Sequence, residues 1–268
     1  MRSFISALAA LAALGDEALG EDVPIGDLGS AVRLPAGLSR LDRRWAVVFR
    51  TLELEQGAVV RARMAYRGTE AQRIVGLAQV AYGDLRGLLA GIGPAALDRA
   101  PREGEWSTRE TLRHTIAVER SYRANTAHAL RRGPEEPLTL PAERRPQPEP
   151  VDIEGDGSEI AERLGIRRAE TDAELGATSD DQLTLPTQWG QLNVDVRFRL
   201  HRFASHLVEH TVQCERALEA AVGPFGDARR TVRRISVARA MHERITPPDE
   251  LARLDAEHEE RLEAATPA

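Results

Sequence analysis

The sequence predicts an all-α protein: a four-helix bundle with a long crossover loop, plus extra helices at its N- and C-terminal ends. Three observations carry that expectation. Ala, Leu, Arg and Glu dominate and aromatic residues are only 4%, a composition that favours helix over sheet. Apolar residues recur at three- and four-residue steps through several long segments. A proline-dense stretch over 133–157 then divides the strongest of those segments into two pairs.

The first 65 residues read as an N-terminal helical extension. Met1-Arg2 and the Ala/Leu run from Phe4 to Gly15 have the outline of a secretory signal. The positive charge is thin and the run is mostly Ala, so an opening helix continued by Asp16-Glu17-Ala18-Leu19 and ending near Gly20 is preferred. A loop containing Pro24, Gly26, Gly29, Pro35 and Gly37 follows, and Ser39 precedes a second periodic segment from Leu41 to Met64.

The bundle is expected over 66–223. Its first helix spans 69–92, with Ile74, Leu77, Ala81, Leu85 and Leu88 as one apolar stripe, and ends at Gly91, Gly93 and Pro94. Ser107 with Glu110 has the spacing of a capping box, which places the start of a second helix at 107 and runs it to about Arg131. The prolines of 133–157 exclude a helix there, and so long a loop implies a functional cover or a crossover between non-adjacent helices. A third helix is expected over 158–176, a loop over Leu183 to Gly190, and a fourth helix over 193–222, ended by Gly223-Pro224. Strands are not evident. The C-terminal extension, 224–268, reads as a basic helix over 227–243 and an acidic, exposed helix over 249–264.

Composition narrows the chemistry. The net charge of −6 provides no basic field for nucleic acid, so no such partner is expected. All 36 cationic side chains are Arg; the lack of Lys excludes Schiff-base chemistry, a lysine base and a Walker-type phosphate lysine, and a GC-rich genome accounts for it. Cys214 is the only cysteine, so neither an internal disulfide nor a Cys-rich zinc site can form, which suits the cytoplasm. No apolar run approaches the ~20 residues that a spanning helix requires, so no membrane partner is expected.

The histidines carry the functional signal. His206 and His210 are four apart on the expected fourth helix, so both imidazoles leave one face and can share a metal. A solvated pair is the competing reading of two such residues alone. Their inward apolar neighbours and a third histidine, His114, on the core side of another helix favour a three-imidazole site. Three neutral ligands leave open positions on a divalent ion such as Zn, Ni or Fe, and leave its charge undiminished. His206 to His210 also matches H-x-x-E-H, with Glu209 as base, but the rest of that peptidase pattern is missing. His201 points off the face, His128 suits a helix C-terminus, and His242 and His258 fall in the charged tail. Cys214 is read as core packing.

Residues Leu97 to His114, with the turn Gly104-Glu105-Trp106-Ser107, and residues Leu200 to Leu218, with the H-x3-H pair, resemble the DinB-like (YfiT-like) metal-binding four-helix bundles. The resemblance covers about 66–223, assigns His114, His206 and His210 as metal ligands, and offers no counterpart for either end of the chain. It implies a thiol-dependent transferase or isomerase. Such an enzyme takes a low-molecular-weight thiol, of mycothiol or bacillithiol type, and a small electrophile. The catalytic residues stay unassigned, and the candidate substrate contacts are Trp106, Arg113, Tyr122 and Gln213. A metal-dependent hydrolase and a non-catalytic, stress-related metal binder remain as alternatives. A homodimer is compatible with apolar faces on the extra helices.

Overall fold

The computed structural model describes residues 4–24, 41–65, 67–147 and 150–265. Along the chain come α1 (Phe4–Ala12), α2 (Asp16–Leu19), β1 (Asp22–Pro24), β2 (Leu41–Arg43), α3 (Arg44–Ala65), α4 (Glu70–Leu89) and α5 (Pro94–Asp98). Then follow α6 (Thr108–Arg131), α7 (Gly157–Leu175), β3 (Pro186–Trp189), β4 (Leu192–Asp195), α8 (Val196–Val222), α9 (Asp227–Ile245) and α10 (Pro248–Ala265). Most of the expected loop between Pro24 and Ser39 lies outside the described residues.

Local chemistry starts the bundle helices. Thr69 with Gln72, Ser107 with Glu110 and Asp156 with Glu159 each close a reciprocal capping box, and Asp195 caps α8 through the Phe198 N–H. Each cap satisfies backbone donors that would otherwise be left without a partner at a helix start. The inward faces then meet in one core, which includes Leu85, Leu88, Leu112, Ile160, Leu164 and Phe203.

Helices α4, α6, α7 and α8 form the four-helix bundle. α4 packs against α7 and α8, and α6 packs against the same two. Glu70 at the start of α4 pairs with Arg197 at the start of α8, and Arg233 joins Asp84 to Glu215 further along both, so these two helices run parallel. Arg109 donates to the carbonyls of Ile153 and Gly155 just before α7, while Arg131 pairs with Glu174 at the far end, so α6 and α7 are parallel as well. The order is up, down, down, up.

That order explains the proline-rich loop. After 24 residues of α6, roughly 36 Å of helix, the chain must return the same distance to begin α7 beside it. The expected crossover is therefore present, but it joins neighbouring parallel helices rather than non-adjacent ones. The diagonal steps are the short connections, from α4 to α6 and from α7 to α8. The loop is fastened by His128 Nε2 at 3.0 Å from the Pro137 carbonyl, by Thr187 donating to the Leu138 carbonyl, and by buried Leu140 and Ile153.

Four further expectations need correction. The segment over Leu183 to Gly190 is not a plain loop: β3 and β4 form an antiparallel hairpin, pairing Trp189 with Leu192 around Gly190 at φ +59°. Consequently α8 starts at Val196, not at 193. Leu77 is 50% exposed and leaves the expected α4 stripe, because α4 buries a second face against α9. There, a Cβ on Gly83 would lie 2.5 Å from Ala240 Cβ, and one on Gly87 would lie 2.7 Å from Arg233 Cα. Two absent side chains thus set the approach of the two helices. The opening helix also breaks into α1 and α2 at Gly15.

The extensions share a second core, built from Phe4, Leu8, Leu11, Val48, Val232, Ile235 and Leu262. α10 is accordingly not a wholly exposed helix. Nor do His242 and His258 lie in a solvated tail. Both are buried around Glu55 of α3, which has no exposed surface. His258 Nε2 is 2.9 Å and His242 Nδ1 is 3.2 Å from its carboxylate oxygens, with Arg239 at 3.5 Å. Burial alone would raise the Glu55 carboxyl, but hydrogen bonds from His242 and His258, with the charges of His258 and Arg239, outweigh it and hold the pKa at about 2. Among the described residues, no helix is long and apolar enough to cross a membrane.

Candidate metal centre

α6 and α8 run antiparallel, which sets the first third of α6 against the middle of α8. His206 and His210 leave the inner face of α8 with Phe203 and Leu207, and both are buried. His114 reaches them from α6 and is half-buried. His206 Nε2 is 2.9 Å from His210 Nε2 and 3.4 Å from His114 Nε2. One ligand atom from each residue lies within 4.8 Å of the others, a grouping that could hold a metal ion.

Burial disfavours the charged form of two of these rings, His206 and His114. Burial, then the charges of His210, His114 and Arg202, push His206 down to about 3. Burial and His210 also lower His114, against the opposing charge of Glu209. Neutral imidazoles converging at such distances turn lone pairs toward one another, which is unfavourable unless a proton or a cation lies between them. Tetrahedral Zn with N ligands at 2.0–2.1 Å separates those nitrogens by roughly 3.3 Å, close to the longer of the two spacings. The donor set therefore fits a divalent ion.

The surroundings orient the rings. Gln213 Oε1 lies 2.9 Å from His210 Nδ1. With Nδ1–H donating to that oxygen, Nε2 carries the lone pair that faces the cluster. Gln213 thus touches His210 itself. Trp106 sits 5.2 Å from the His114 ring, at the surface beside the cluster, and is 45% exposed. Tyr122 packs at 5.2 Å from His206 and edge-on to Trp189 at 4.8 Å. Arg113 is exposed, and its charge acts on Glu110 rather than on the imidazoles. Cys214 is a buried free thiol that burial pushes up to about 12, which makes it a packing residue. His201 is exposed and His128 fastens the crossover.

Sequence reasoning missed Trp189, Arg199 and Arg202. The hairpin delivers Trp189 against Tyr122, and the two arginines stack over its indole at 5.4 and 5.1 Å. The signal was a Trp-Gly step followed by alternating residues, too short to stand out beside a proline.

The family model described as DinB superfamily matches residues 78–214, just over half of the chain, a span that contains all three histidines. No curated protein matches the chain.

Proposed function

This chain belongs to the DinB superfamily, and from that premise we propose that His114, His206 and His210 bind one divalent cation in a metal-dependent thiol transferase or isomerase. The reading takes a low-molecular-weight thiol of mycothiol or bacillithiol type as co-substrate and a small electrophile as acceptor. Residues 66–223 would be the functional unit, with 1–65 and 224–268 as its supports. The observation that supports the reading most is the convergence of three imidazoles with no fourth candidate ligand grouped with them among the described residues. A site with three protein ligands keeps positions open for exchangeable molecules, as catalytic sites do. Bound there, a cation would supply positive charge that favours the thiolate form of an incoming thiol.

The chain's own residues fill the other roles. Gln213 holds His210 in the tautomer whose Nε2 is free. Trp106 offers an exposed apolar face beside His114. Tyr122 packs against the His206 ring and can direct its hydroxyl to an oxygen of the electrophile. Neither a thiol nor an amine of the chain can serve as nucleophile, because Cys214 is buried with its thiol pushed up to about 12 and there is no lysine, so the reading takes the thiolate from the co-substrate. One observation favours hydrolysis as a second reading: exposed Glu209 lies near enough to act on His114 and could accept a proton from water.

The deciding measurement is metal content by plasma mass spectrometry, in the parent and in His206→Ala. About one divalent ion per chain, lost in the variant, is expected. A parent that stays metal-free after incubation with Zn, Ni or Fe salts sinks the reading. Turnover of electrophiles that does not depend on added thiol would replace the transferase with the hydrolase.

A further inference from the structure

A cavity of about 850 Å³ lies apart from the three histidines, none of which lines it. It lies between α6, α7, the crossover loop and the β3–β4 hairpin. Its lining combines an apolar part, with Ile116, Leu140, Val151 and Ile166, and five guanidinium groups, on Arg120, Arg145, Arg163, Arg167 and Arg199. Asp152 is the one carboxylate among the described lining residues. Arg163 is paired with Asp152 at 3.2 Å, and Arg167 with Glu170 at 2.9 Å.

Arg199 decides the matter. It is only 5% exposed, yet its contacts are neutral: Nε donates to Thr187 Oγ1 at 3.0 Å, an Nη group donates to the Gln188 carbonyl, and its plane stacks on Trp189. Burial lowers its pKa, and no carboxylate among the described residues offsets that. A full charge held out of water without a counter-ion is costly, and buried cations are ordinarily paired. A planar guanidinium at the wall of a cavity is well suited to a carboxylate or phosphate.

We propose that this cavity binds an organic anion, an apolar body bearing a carboxylate or phosphate, with Arg199 and Arg145 as its counter-ions. Ser121 lines the cavity seven positions after His114 on the same helix, which is two turns, or ~10 Å, along one face. A ligand seated by its charged end can therefore extend toward the histidines. Only that last step rests on the proposed metal site; binding itself does not.

The test is calorimetric titration of the purified full-length protein with 1-naphthoate and with phenyl phosphate, beside the neutral 1-naphthylmethanol. Saturable binding of at least one anion is expected, with the alcohol weaker by about tenfold or more. Arg145→Glu reverses an exposed charge, and Arg199→Met removes the buried one; each should weaken the anion by about tenfold or more. Arg199 also holds the hairpin, so the exposed Arg145→Glu variant gives the independent readout. His206→Ala should bind the anion as the parent does. The proposal is overturned if neither anion binds, if the alcohol binds equally well, or if Arg145→Glu has no effect. Loss of binding in His206→Ala would place the anion on the metal instead and overturn the cavity assignment. A metal-free parent that still binds the anion would sink the metal reading alone.

Discussion

Glu55 offers the most quantitative forecast, because its carboxylate meets three named partners on α9 and α10. Replacing it with Gln keeps the volume and removes the charge that His242, His258 and Arg239 enclose. The folded carboxyl sits at about 2 against an ordinary 4.5. At about 1.4 kcal/mol per unit, that difference corresponds to about 3 kcal/mol of stability. Because the folded value is depressed, the contribution is complete above about 4.5 and is lost as pH falls toward 2. Glu55→Gln should therefore lower the stability of the protein by about 3 kcal/mol at pH 7, or about 5 °C in Tm for a chain of this length. The assay is urea unfolding of both proteins from pH 7 to pH 3, with chelator present so that metal binding does not enter. The gap between them should hold steady down to about pH 5 and then narrow. Equal stability at pH 7, or a gap that stays constant to pH 3, would refute the reasoning.

Three other outcomes follow from contacts described above or adjoining them. Arg168 of α7 is buried and pairs with Glu119 of α6 at 2.5 Å and with Asp172 at 2.6 Å, so Arg168→Met should cost about 3–5 kcal/mol in urea unfolding. Burial already pushes Glu119 upward, so that loss should grow as pH rises. Gly87→Ala places a Cβ 2.7 Å from Arg233 Cα and should destabilise by about 1–3 kcal/mol while leaving the metal stoichiometry intact, as metal analysis beside an unfolding curve will report. Gln213→Leu removes the acceptor for His210 Nδ1 and should weaken metal binding by about 10- to 100-fold in a chelator competition, with little change in the fold.

The parts of the molecule legible in the sequence were those encoded by short-range chemistry. Ser107 and Glu110 announce a helix start three residues apart, and His206 and His210 share a face by helical spacing alone. Placing His114 opposite them needed only two helices with identified inner faces. What escaped was encoded by absence or by distance. Gly83 and Gly87 carry no apolar side chain, so the second buried face of α4 left no stripe to read. His242 reads as part of a charged helix because its partner, Glu55, is 187 positions away. The hairpin strands are four residues each, too short for alternation to be distinguished from loop.

The up, down, down, up order has a consequence for how the chain is made. α4 lies side by side with α8 and α9, and the contact between Asp84 and Arg233 spans 149 positions. During synthesis α4 therefore emerges long before two of the helices that cover it, and its apolar faces wait for most of the remaining chain. Closing such distant pairs carries a loop-entropy penalty ahead of any packing gain, which slows folding relative to a bundle of sequential hairpins. Partly made chains with α4 uncovered are the species most exposed to aggregation, so holding chaperones would matter more here than the all-helical architecture suggests.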